Sequence, residues 1–158
     1  MSSQRWLVLV GFIAVTFVAA GIGGAATSSS VNTWYPTLVK PSWNPPSWVF
    51  GPVWSSLYLL MAVAAWRVWR HAENPGRRNA LGWYFAQLAL NALWSFLFFG
   101  LRNPGLAFAE VILLWATIVV VLVKFARIDR PAAVLWVPYL AWVTFASVLN
   151  GTVWWLNR

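Results

Sequence analysis

The side chains able to do chemistry fall in three short stripes. Gln87, Asn91 and Ser95 recur at i, i+4 and i+8, one face of a helix, with Trp94 three residues after Asn91. Tyr139, Trp142, Ala146 and Asn150 follow at i, i+3, i+7 and i+11, and Trp54 with Tyr58 forms a third stripe at i, i+4. Indole and phenol rings offer flat apolar faces with one polar atom each, and amides offer neutral hydrogen bonds. Such a set suits holding a flat, apolar small molecule. It does not suit ordinary bond-breaking, because it contains no nucleophile–base pair and no acid/base dyad. With no Cys and one His, His71, a multi-His or thiolate metal site within the chain is excluded, and neither metal nor cofactor is expected. Glu110 is the only carboxylate inside an apolar run. It reads either as a protonated acid hydrogen-bonded among helices or as a group with a catalytic or ligand-pairing role. The amide stripe reads equally as interhelical hydrogen bonding or as the polar floor of a site.

The elements that must position these groups are membrane spans. Of 158 residues, 61% are hydrophobic and only 9% charged, against roughly 25% charged in a soluble domain. Mean hydropathy is +0.67. A water-soluble enzyme, a disordered tail and a disulfide-stapled domain are all excluded. The net charge of +8 does not point to nucleic acid, because the cations sit at the ends of apolar runs. Five runs reach the roughly 20 residues that cross a bilayer, at about 6–26, 47–69, 80–101, 104–126 and 132–155. The fold expected for 1–158 is therefore an all-α membrane protein, a single five-helix transmembrane domain. Pro104 and Pro131 suit first helical turns, and Pro138 is expected to bend the fifth run. The first run is too long for the h-region of a signal peptide and is expected to be retained. Arg5, Arg67, Arg70, Arg77, Arg78, Lys124, Arg127 and Arg130 gather at one face, leaving Lys40, Arg102 and Arg158 at the other. That asymmetry sets the N-terminus on the cytoplasmic side of an inner membrane.

The 14 Trp divide by depth. Trp6, Trp34, Trp43, Trp48, Trp66, Trp69, Trp83, Trp136, Trp154 and Trp155 lie near span ends, where the headgroup region favours indoles. Trp54, Trp94, Trp115 and Trp142 are deeper, and the sequence names no partner for Trp115. Trp54, Trp94, Glu110 and Asn150 each lie roughly 8–12 Å from the face that carries the first connection, with Asn91 and Trp142 slightly deeper. A cavity is expected in that half of the bundle. The first connection, about residues 27–46, holds four Pro at 36, 41, 45 and 46, which stiffen it. It is expected to act as a lid, with Trp34 and Trp43 covering an apolar ligand.

That connection, Trp34-Tyr35 followed by Lys40-Pro41-x-Trp43-x-Pro45-Pro46 and Pro52-Val53-Trp54, resembles the signature of the TspO/MBR family, the tryptophan-rich sensory and translocator proteins. Gln87-Leu-Ala-Leu-Asn91-x-x-Trp94 with Phe98-Phe99-Gly100, and Pro138-Tyr139-Leu-x-Trp142 with Leu149-Asn150, are similar to its third and fifth helices. The likeness covers essentially the whole chain. It implies a five-helix membrane receptor or transporter-like protein, usually a homodimer, that binds porphyrins of the protoporphyrin IX type and other apolar small molecules as ligands, with no cofactor. By position, Trp34, Asn91, Trp94 and Asn150 match pocket residues, and Glu110 matches an acidic position of animal members. Trp54 and Trp142 match two Trp linked in some bacterial relatives to light-dependent porphyrin breakdown. Together with Trp43, Tyr58, Gln87 and Tyr139 these residues make the expected ligand-binding set. Animal members also bind sterols, through a C-terminal motif containing Tyr; here Gly151 stands in its place, which argues against cholesterol as the natural ligand.

Three functions follow as expectations. The first is a receptor or transporter for a flat tetrapyrrole, with Lys40 or Arg102 pairing its propionates. With no axial ligand in view, metal-free porphyrin is favoured over haem. The second is porphyrin degradation under light, using Trp54 and Trp142. The third is a regulatory membrane protein gated by its ligand without transport. The Arg-rich, Ala-rich composition leans toward a bacterial cell membrane, with mitochondrial and bacterial outer membranes as alternatives.

Overall fold

The computed structural model describes residues 3–158, and among them every regular element is helical. The helices are α1 (Ser3–Ser28), α2 (Ser47–Trp69), α3 (Arg77–Ser95), α4 (Pro104–Ile128) and α5 (Arg130–Leu156). A 3-10 turn, Tyr35–Thr37, lies in the first connection, and a π-helical segment, Phe96–Gly100, prolongs α3. Four of the five, α1, α2, α4 and α5, are long and apolar enough to cross a membrane. This makes the protein an integral membrane protein. The exception is α3, which opens on Arg77, Arg78 and Asn79 and carries the buried Gln87 and Asn91.

The helix starts follow local chemistry. Asn103 caps α4, its Oδ1 accepting the Leu106 N–H at 2.9 Å, and Asp129 caps α5 by accepting from Ala132 at 3.2 Å. Each cap is followed by Pro in the first turn, where a missing N–H is harmless. Pro138 lies within α5, whose helix runs unbroken to Leu156.

Helix contacts close a ring in the order α1, α2, α5, α4, α3, with α2 and α3 also meeting across it. Ala62, Ala64 and Ala65 of α2 are fully buried in the same core as the large rings of Tyr84, Phe125, Trp136 and Tyr139, where small side chains permit close helix packing. The most peripheral helix is α1, which buries only Phe12, Thr16 and Gly23. It is pinned where the Thr16 and Tyr84 hydroxyls hydrogen-bond. A second pin is Gly23, where a side chain would press on Ser95 Oγ at 3.1 Å.

Two Trp assigned by sequence to the headgroup region are core residues. Trp136 is wholly buried and donates to the Ile118 carbonyl at 3.1 Å, and the buried Trp66 donates to the Arg5 carbonyl at 3.0 Å. Closeness to a span end says nothing about which way a ring faces, and both face the bundle. Trp115 has a partner after all: its N–H donates to Thr144 Oγ1 at 2.8 Å and ties α4 to α5.

The first connection is tied to the bundle near its start and at its middle. Ser30 Oγ donates to the Phe99 carbonyl at 2.5 Å. Near the C-terminus the Asn157 amide pairs with Val39 in both directions, accepting its N–H at 2.9 Å and donating to its carbonyl at 2.8 Å. Lys40 Nζ donates to the carbonyls of Tyr35 and Leu38 at 2.9 and 3.0 Å and sits over the Tyr35 ring.

Candidate functional site

A cavity of about 450 Å³ opens within the half of the bundle that carries the first connection. That volume falls in the range of small-molecule sites. Its wall comes from the C-terminal end of α1, Val31 and Tyr35 of the connection, the first half of α2, the end of α3 with its π segment, and the second half of α5. No residue of α4 reaches it, because α4 packs on the far side of α3 and α5 in the ring. Four lining residues are exposed on the outside of the bundle, Gly24 and Ser28 on α1 and Ser47 and Gly51 on α2. The mouth therefore lies between these two helices. Both glycines leave open space where a side chain would stand.

The polar atoms around the cavity are mostly committed to one another. Tyr58 Oη donates to Asn91 Oδ1 at 2.7 Å, Asn91 Nδ2 donates to Tyr139 Oη at 2.9 Å, and Tyr139 Oη donates to Gln87 Oε1 at 2.8 Å. This chain joins α2, α3 and α5. A second chain runs from Trp94 Nε1 to Asn150 Oδ1 at 2.9 Å, and from Asn150 Nδ2 to the Pro104 carbonyl at 2.9 Å. Trp142 differs. Its ring lines the cavity, while its Nε1 is buried within the protein with no hydrogen-bond partner among the described residues. A buried donor left unpaired costs about 1–3 kcal/mol. Apolar surface dominates elsewhere: Trp54 packs on Tyr58 at 5.5 Å between ring centres, Trp94 stacks on Phe98 at 5.2 Å, and Phe50 meets Trp142 edge-on at 5.9 Å. The Tyr35 phenol, in the connection, is pushed up by burial against the opposing bond to Asn44, so this wall is uncharged too.

Of the eleven residues singled out from sequence, Trp54, Tyr58, Asn91, Trp94, Trp142 and Asn150 line the cavity, and five do not. Gln87 and Tyr139 are fully buried behind it, where they anchor Asn91. Trp34 packs edge-on against Phe98, and the exposed Trp43 against Phe145. Neither ring reaches the wall. Glu110 shares the depth of Trp94 and Asn150 but sits on α4, buried, with both carboxyl oxygens unpartnered among the described residues. Depth along a helix is legible in sequence; which neighbour screens the helix from the cavity is not.

Sequence reasoning missed Phe50, Phe98 and Phe99, and the small residues Ala20, Gly23 and Gly24 of α1. The π segment accounts for two of these. One extra residue per turn shifts the helical phase, so that adjacent Phe98 and Phe99 are both buried at the wall. The glycines matter through what they lack, and small-residue spacing reads only as close packing.

The sequence matches the family model described as TspO/MBR family over residues 12–156. It is 44% identical over 142 residues to the tryptophan-rich protein TspO of Chlorobaculum tepidum, covering 89% of this chain and 90% of that one. It is 45% identical over 139 residues to a tryptophan-rich sensory protein of Cereibacter sphaeroides, covering 86% of this chain and 85% of the relative. The translocator protein of Bos taurus is 34% identical over 155 residues, 97% of this chain and 92% of the bovine one.

Proposed function

The chain belongs to the TspO/MBR family, and from that premise we propose that it is a membrane receptor or transporter-like protein for a porphyrin of the protoporphyrin IX type and other flat apolar small molecules. In this reading α3 with its π segment is the fifth span, the first connection covers the ligand, and the protein resides in a bacterial cell membrane. The observation that carries the proposal is an aromatic cavity of about 450 Å³ walled by Trp54, Trp94 and Trp142. A flat apolar body suits such a space.

Titrating protoporphyrin IX against the intrinsic Trp fluorescence of the purified protein tests this. Saturable quenching is expected for the wild type. Trp142→Phe shrinks the aromatic face at the wall, so its Kd is expected to rise by about threefold. Equal Kd values in the two proteins would take Trp142 out of the site.

A second reading, degradation of the bound porphyrin under light, is favoured by one observation: Trp54 and Trp142 both line the cavity. Illuminating the complex and following the porphyrin absorbance checks it. Bleaching is expected to slow severalfold in the double Trp54→Phe, Trp142→Phe variant, and an unchanged rate would remove these residues from the chemistry.

A further inference from the structure

We infer that the cavity receives only an uncharged apolar body, and that any carboxylates of its ligand stay outside, at the mouth between α1 and α2. The inference rests on the porphyrin reading above and narrows it. None of the residues lining the cavity is charged. A carboxylate taken into such a space loses its hydration and meets no cation, a penalty of several kcal/mol. Neutral donors offer little compensation. The Trp94 N–H and the amides of Asn91 and Asn150 are engaged within the protein, and the other polar groups of the wall are neutral hydroxyls such as that of Ser95. A few neutral donors serve a carbonyl or a ring nitrogen, whereas an ionised carboxylate has about four acceptor sites to satisfy and no cation here to pair with.

The two cations that sequence reasoning offers as propionate partners are placed otherwise. Lys40 is held by two backbone carbonyls and the Tyr35 ring. Arg102 is exposed, sits in the left-handed backbone region at φ 53°, and contributes nothing to the wall. The mouth is different. Gly24 and Gly51 leave it unobstructed, and Ser28 and Ser47, the last residue of α1 and the first of α2, line it with hydroxyls at the end of both spans. An acid-bearing edge of a flat molecule meets water there while its apolar face remains between Trp54, Trp94 and Trp142.

The test compares protoporphyrin IX with its dimethyl ester on the full-length protein in detergent micelles. Each is titrated by saturable Trp quenching and by displacement of the other. The readout is the ratio of the two Kd values. The inference expects the ester to bind within about threefold of the diacid or more tightly, and the diacid Kd to be insensitive to salt. In Lys40→Gln and Arg102→Gln the ratio is expected to stay unchanged, the ester reporting on the fold of each variant. An ester weaker by about tenfold or more would overturn the inference while leaving porphyrin binding intact, as would a selective loss of diacid affinity in either variant. Failure of both ligands to bind saturably would sink the porphyrin reading itself and this inference with it.

Discussion

Asn91→Leu is expected to destabilise the protein by about 2 kcal/mol and to lower its thermal midpoint in detergent by several degrees. Asn91 is 5% exposed and holds the centre of the chain that joins α2, α3 and α5. Leu fills nearly the same volume, so the change isolates hydrogen bonding from packing. It strips the Tyr58 hydroxyl of its acceptor and Tyr139 Oη of its donor, while the Tyr139 bond to Gln87 remains. In water-soluble proteins two such losses would approach 4 kcal/mol. Interhelical bonds in membranes average nearer 0.6 kcal/mol each, because the separated helices find other partners, and this pulls the expectation down. Tyr139→Phe, which frees Gln87 Oε1 and one Asn91 proton, is expected to show a similar loss. Thermal unfolding followed by far-UV dichroism measures both. A midpoint for Asn91→Leu within error of wild type would mean that the chain of bonds is dispensable. The same variant should weaken porphyrin binding, since Asn91 also stands at the cavity wall.

Asn91 also shows how far the sequence could be read. Periodicity put Gln87, Asn91 and Ser95 on one helix face, and the run of apolar residues fixed the depth of that face in the membrane. Both follow from helical geometry and bilayer thickness, which are local or global but never pairwise. The roles then separate through pairwise contacts. Gln87 is one turn below Asn91, where α2 and α5 close together, and the tertiary contact with Tyr139 converts it from a wall residue into an anchor. Asn91, a turn higher, has the same bond type and also borders empty space. One stripe thus holds both a residue that only bonds between helices, Gln87, and one that also borders the cavity, Asn91. Glu110 is the converse case. Its depth is legible, but its exclusion from the cavity depends on α4 lying outside α3 and α5, an order that no run of residues encodes.

Trp residues divide in the same way. Trp54, Trp94 and Trp142 stand out in sequence because they lie beside polar stripes, and all three reach the wall. Trp34 and Trp43 stand out by family resemblance and by the stiffness of their Pro-rich segment, yet they lie on the outer side of Phe98 and Phe145. The connection reaches the cavity instead through Val31 and Tyr35, and its position is held by the Asn157–Val39 pair. That pair spans 118 positions of sequence, beyond any local pattern. The π segment is illegible for a different reason: a phase slip of one residue at the end of α3 cannot be distinguished in sequence from an ordinary last turn.

The second large effect is expected at Asp129, where α2 is fastened to the start of α5. The carboxylate, 8% exposed, accepts from Arg67 Nε at 2.6 Å and from Arg67 Nη2 at 3.3 Å, with His71 Nε2 at 3.6 Å, and it also caps α5 through Ala132. Burial alone raises its pKa. The hydrogen bond and charge of Arg67, the Ala132 N–H and the charge of His71 together outweigh burial and hold the carboxyl below its usual 3.8. A depressed pKa means that the ionised form stabilises the fold. That contribution is complete above the unfolded value and is lost as pH falls through the lower folded value. Asp129→Asn keeps a good capping residue and removes the charge, so it separates the two roles, at an expected cost of about 1–2 kcal/mol near neutrality. The side chain of Arg67 is 32% exposed, and water can rehydrate it when its partner is lost, which keeps the figure below the 3–5 kcal/mol of a fully buried pair. Asp129→Ala loses the cap as well and is expected to cost about 1 kcal/mol more. Thermal midpoints recorded for wild type and Asp129→Asn across acidic pH should converge below about pH 3.8, as the wild-type carboxyl takes up its proton. A gap that persists undiminished to lower pH would show that the stabilisation comes from shape and capping rather than from charge.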